Sequence, residues 1–233
     1  MITIASFLLV FTVAYAAPVD DKLAYAAEVF GEVTPTQMAC LRKENYMVAL
    51  VEAYSNGEFK QNAIPTAWNA VYSNMGMEVY MTPDATLKKS AKQQVDETIM
   101  GLISKGLTVT DLWIKVTDLS KWSPSISFNN VFLYELVNAV KSHGRKVGII
   151  TNSEAFYKIT PGLDHYSDDV RLWYGDSSPV TCTGQEGADF GDFKPFAGWG
   201  KPDAKQYCVG AKVCGVTING NVVSTASIWT PSS

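Results

Sequence analysis

The sequence predicts a single-domain α/β protein built as a (β/α)8-like, TIM-type barrel. Three observations carry that expectation. The chain has 233 residues, and without its apolar leader it falls in the range of roughly 200 to 250 residues that one α/β barrel often occupies. Hydrophobic residues make up 47% of it, enough for a large buried core. Runs of β-branched and apolar residues alternate in regular order with amphipathic stretches, the pattern of strands joined by crossover helices.

The leader runs from an uncharged start through an apolar core, Ile4 to Val13, into Ala14-Tyr15-Ala16, which suits signal peptidase. Residues 1–17 are therefore expected to be removed as a signal peptide, leaving 18–233 as the barrel domain of a secreted protein. The apolar run is too short to cross a bilayer core of about 30 Å, and no later stretch is long enough.

The first strand is expected at Tyr25 to Phe30 and the second at Val48 to Ala53. Between them lies a helix over Pro35 to Asn45, with Thr34 as its cap and Pro35 in the first turn, where proline's missing N–H costs nothing. A second helix, Pro65 to Asn74, leads to a strand at Met77 to Thr82. A third, Ala91 to Lys105 behind a Ser90 cap, leads to Leu112 to Thr117. The fourth, Phe128 to His143, carries an apolar stripe of Val131, Tyr134, Leu136, Val137 and Val140 and leads to Lys146 to Thr151. Gly76, Gly106 and Gly144 stop these three helices. A short fifth helix around Glu154 to Tyr157 precedes a strand at Val170 to Tyr174. Lys205 to Val209 and Val213 to Ile218 complete eight strands, all expected to be parallel, the number that closes a barrel. From Asp176 to Pro202 the periodicity fails, and a long loop carries Phe190, Phe193, Phe196 and Trp199.

A net charge of -4 offers no basic field for nucleic acid or anionic membrane, so neither is expected as a partner. The four cysteines, Cys40, Cys182, Cys208 and Cys214, read as two disulfides in an exported chain, with three pairings open from sequence alone. A Cys182 to Cys208 bridge would staple the long loop. Zinc finds no support, because C-x-x-C is absent and His143 and His165 lie far from the cysteines in sequence. No cofactor or metal is expected. Serine-hydrolase, P-loop and zinc-protease signatures are absent too.

In such a barrel the chemistry sits at the C-terminal strand ends. Those positions are Glu28, Glu52, Tyr80 to Pro83, Lys115 to Asp118, Asn152, Trp173 to Asp176, Tyr207 and Asn219. Tyr54, Tyr80, Trp113, Trp173, Tyr174 and Tyr207 are candidate stacking surfaces for sugar rings, with packed core as the alternative.

Several runs carry a resemblance: Ala26-Ala27-Glu28-Val29, Ala39-Cys40-Leu41-Arg42-Lys43, Val48 to Tyr54, Pro195 to Pro202, Lys205-Gln206-Tyr207 and Cys214-Gly215. In this order, over nearly the whole mature chain, they resemble the invertebrate and amoeba-type branch of the glycoside hydrolase family 25 lysozymes. The resemblance implies a (β/α)8-like barrel, hydrolysis of bacterial peptidoglycan, and a part in innate defence or the digestion of bacteria. It also implies an Asp at the end of the first strand, a D-x-E pair on the fourth and an Asp on the last. This sequence departs at each: Glu28 on the first, Lys115 and Thr117 on the fourth, and Asn219 on the last. The family's Arg after the second strand is replaced by Glu52.

Glycoside cleavage needs an acid to protonate the leaving oxygen and a second carboxylate, or the substrate itself, to support the cationic centre. Threonine supplies no such proton, and a lysine adds positive charge beside a positive transition state. The expectation is a catalytically degenerate, monomeric lysozyme-like protein that binds a bacterial cell-wall glycan or a protein partner. An active lysozyme would need a displaced acid, Asp118 or a Glu28 and Glu52 pair, although Asp118 sits one residue out of register. Lys115 and Glu52, opposite in sign at neighbouring mouth positions, are expected to pair. The favoured disulfides are Cys40 with Cys214 and Cys182 with Cys208. The remaining alternative is an interaction scaffold that takes no sugar.

Overall fold

A computed structural model describes residues 23–163, 169–175 and 180–226, so the leader lies outside the described residues. Its strands are β1 (Leu23–Val29), β2 (Tyr46–Ser55), β3 (Glu58–Phe59), β4 (Gly76–Met81), β5 (Asp111–Lys115), β6 (Lys146–Thr151), β7 (Val170–Tyr174), β8 (Ala204–Val213) and β9 (Val216–Ser224). The helices are α1 (Pro35–Lys43), α2 (Ala63–Tyr72), α3 (Ala91–Ser104), α4 (Ile126–Ser142) and α5 (Ser153–Ile159). Strand order around the sheet is β1-β9-β8-β7-β6-β5-β4-β2, and β1 pairing with β2 closes the barrel. The two-residue β3 is a hairpin appendage on the end of β2.

One expectation fails at the closure. The eighth barrel strand, β9, runs antiparallel to both of its neighbours, β8 and β1. Parallel neighbours need a crossover of about a dozen residues, and only Cys214 and Gly215 separate Val213 from its partner Val216. Both turn residues have positive φ, 54° and 76°, which is the backbone of a two-residue hairpin matched to strand twist. The expected strand at Val213 to Ile218 therefore combines this turn with the start of β9.

Local signals account for most helix ends. Thr34 and Ser90 form capping boxes with Gln37 and Gln93. Gly106 and Gly144 take positive φ just past α3 and α4. Gly76 does not serve α2 in this way, because Asn74 takes the left-handed turn (φ 54°) and Gly76 opens β4. On α4 the buried stripe is Phe132, Leu133, Leu136, Val137 and Val140, whereas Val131 and Tyr134 are exposed. Helical spacing allowed either stripe, and the bulkier set faces the sheet.

Alternate residues of each strand build two cores. Outward residues such as Val51, Val79, Ile114 and Leu172 pack with Leu41, Ile99, Leu136 and Phe156 of the helices. Inward residues, among them Ala26, Leu50, Tyr80, Trp113, Ile150 and Trp173, fill the barrel. Trp113 and Trp173 meet edge to face at 5.2 Å. Gly148 of β6 leaves room for them, because a Cβ there would lie 2.0 Å from the Trp113 ring. Among the described residues no helix lies between β7 and β8. Instead the loop before β8 folds Phe193, Phe196 and Trp199 against Tyr174 and Phe156. Disulfides join Cys40 to Cys214 and Cys182 to Cys208, which ties the hairpin tip to α1 and this loop to β8. Among the described residues, no helix is long and apolar enough to cross a membrane.

Candidate functional site

The mouth forms where the parallel strands end. Glu28 is the last inward residue of β1, and the antiparallel register sets Asn219 of β9 directly opposite it. Lys115 ends β5 and reaches across: its Nζ donates to Glu28 Oε1 at 2.9 Å. Asn219 Nδ2 donates to Glu28 Oε2 at 2.7 Å, and Gln206 Oε1 lies 3.5 Å from the same amide. Tyr80 underlies the cluster, its ring centroid 4.9 Å from the Lys115 ammonium. Burial, followed by the nearby charges of Glu28 and Glu52, holds the Tyr80 proton far above the ordinary phenol value. Glu28 is 2% exposed and engaged by an ammonium and an amide.

Glu52 does not pair with Lys115. Its oxygens accept from Ser55 Oγ at 3.0 Å and Thr82 Oγ1 at 2.6 Å. Hydroxyls at the ends of β2 and β4 already satisfy it, and the lysine finds a buried carboxylate over the Tyr80 ring. Thr117 lies half-buried just beyond β5. Asp118 is exposed, and its carboxylate caps the turn Leu119–Lys121 by accepting from Ser120 N at 2.9 Å and Ser120 Oγ at 2.7 Å.

The candidate stacking aromatics stand elsewhere. Trp113 and Trp173 are buried one layer beneath the mouth, and their indoles donate to Glu78 at 2.7 Å and Asn221 at 2.8 Å. Tyr80 is buried as the floor. Tyr54 and Tyr174 belong to the outer core, and Tyr207 packs against Tyr25 and Val222. Apart from Tyr80 in the floor, these rings do not line the mouth, because a strand residue two back sits a layer deeper and one step away sits on the other face. The mouth is polar instead; Thr82 was among the strand-end positions expected there, whereas Gln206 and Ser55 were not. Their only signal was the register of β8 against β9 and the bulge after Glu52. Among the described residues no group of three His, Cys, Asp or Glu is placed to hold a metal ion.

The family described as Lysozyme-like protein 1 matches residues 19–207. The chain is 33% identical over 208 residues to Lysozyme-like protein 7 of Caenorhabditis elegans, covering 88% of this chain and 74% of that one. It is 29% identical to Probable GH family 25 lysozyme 2 of Dictyostelium discoideum, with 81% and 85% covered. A solved family 25 glycosyl hydrolase from Bacillus anthracis shares the fold, with a TM-score of 0.60 over 91% of this chain and 94% of that chain at 17% identity. The closed eight-strand barrel thus has the fold of a solved family 25 glycosyl hydrolase. The chain belongs to the family of lysozyme-like proteins.

Proposed function

We propose that this chain is a secreted member of its family that has given up glycan hydrolysis and retains a binding or regulatory role at bacterial cell walls, as part of innate defence. One observation carries the reading: the Lys115 ammonium sits 2.9 Å from Glu28, in the mouth where cleavage would need free carboxyls. A cation fixed there opposes a positive transition state, and Thr117 provides no acid. Loss of a general acid alone lowers rate by about 10² to 10⁴. The two disulfides suit an oxidising, exported setting.

A second reading, an interaction scaffold, rests on a separate observation. Ile126, Phe128, Val131 and Tyr134 of α4 are each about half exposed, so the outer face of this helix offers apolar surface that the mouth lacks.

Turbidity clearing of bacterial walls by the mature chain, with sedimentation on the same walls, tests both. The expected result is co-sedimentation without clearing. Sedimentation failure would transfer the function to a protein partner, and clearing at the rate of an active relative would refute the loss of hydrolysis. Lys115→Asp with Thr117→Glu, assayed in parallel, reports whether the barrel can still be turned back toward cleavage.

A further inference from the structure

Beside the Glu28 centre, where β1 and β2 end against the turn leading into α2, lies a cavity of about 170 Å3. It is smaller than the roughly 300 to 1,000 Å3 of sites for drug-sized ligands, which points to a small occupant rather than a sugar chain. Phe30, Glu52, Lys60 and Asn62 supply its side-chain chemistry.

Two opposite charges line this cavity without pairing to each other. Glu52 is positioned by the Ser55 and Thr82 hydroxyls, and among the described residues no cation stands within ion-pair reach of it. Among the described residues Lys60 has a single ion-pair contact, 3.9 Å to Glu58, whose side chain is 73% exposed. Such a contact contributes little. Asn62 begins α2 without a capping bond from its side chain, which leaves the amide available. The Phe30 ring is 48% exposed at the rim.

This charge pattern selects by exclusion. A lone anion would meet the Glu52 carboxylate, and a lone cation would meet the Lys60 ammonium. A neutral ligand would desolvate both charges and match neither. A ligand carrying one ammonium and one carboxylate matches both with no net charge. Glu52 would accept from its ammonium, Lys60 and Asn62 would donate to its carboxylate, and Phe30 would cover its apolar part. From this juxtaposition we infer that the cavity binds a small zwitterion of the α-amino-acid type. The inference does not rest on whether the barrel cleaves glycan, since neither Glu28 nor Lys115 lines the cavity.

The test is calorimetric titration of the folded chain with glycine, alanine and serine, beside N-acetylalanine, which lacks the ammonium, and alanine methyl ester, which lacks the carboxylate. Saturable binding of at least one free amino acid is expected, with each blocked form at least about tenfold weaker. Glu52→Gln and Lys60→Met should each weaken the zwitterion by a similar factor, with thermal melts confirming that both variants fold. If either fails to fold, the blocked ligands alone decide the question on the natural chain. No saturable binding by any of the three amino acids, or equal binding of free and blocked alanine, would overturn the inference.

Discussion

Glu78 shows how far one buried carboxyl can set the behaviour of the protein. It is 4% exposed, its Oε2 accepts from the Trp113 indole, and the nearby Arg171 is engaged by Asp111 at 2.6 Å and Asp203 at 3.7 Å. Burial pushes its pKa from 4.5 to about 7; the indole and Arg171 lower it, and Asp111 adds to the rise. Below about pH 4.5 the folded and unfolded chains both hold this proton. Between there and about 7 the unfolded chain releases it and the folded chain does not, so stability falls as pH rises. The full effect is on the order of 3 kcal/mol, and the slope from this residue ends above pH 7. Thermal melts from pH 4.5 to 7.5 should show the decline, and Glu78→Gln should flatten it. An unchanged slope in that variant would place the dependence elsewhere.

At the scale of elements, the two disulfides do different work. Cys40 to Cys214 spans 174 residues and pins the β8–β9 turn, where Cys214 holds positive φ, onto α1. Cys182 to Cys208 spans 26 residues and fixes the loop that stands where a helix would otherwise cover β7. Removing a native bridge costs about 2 to 5 kcal/mol, and chain entropy makes the longer loop worth about 1.7 kcal/mol more than the shorter. Denaturant unfolding of Cys40→Ala with Cys214→Ala should therefore show the larger loss, and Cys182→Ala with Cys208→Ala the smaller. The reverse order would mean that the loop packing of Phe193, Phe196 and Trp199 depends on its staple more than the barrel depends on its own.

At the scale of the whole molecule, closure depends on the last strand. Among the described residues β9 makes the only link between β8 and β1, by antiparallel pairing on both sides. A chain ending at Val213 would leave two open barrel edges and remove Asn219, Asn221 and Val223 from the interior. Such a chain is expected to give no cooperative thermal transition by circular dichroism, and a sharp melt would show that the remaining strands fold without closure.

The element order, the barrel class and most helix ends were legible in the sequence because they rest on local rules. Strand and helix periodicity, the Thr34 and Ser90 boxes and the glycines after α3 and α4 act within a few residues. That Lys115 and Asn219 stand at the barrel mouth could also be read there, since it needs only strand position. Whether Lys115 meets Glu28 or Glu52 could not, because that choice joins residues from three strands through the β1–β9 register and the hydroxyls already holding Glu52. Nor could the burial of Trp113 and Trp173, which depends on one layer of depth inside the barrel, or the direction of β9, which two residues in a turn decide. Local chemistry settles what each segment becomes; which side chains share a cavity is settled only when all the strands are in register.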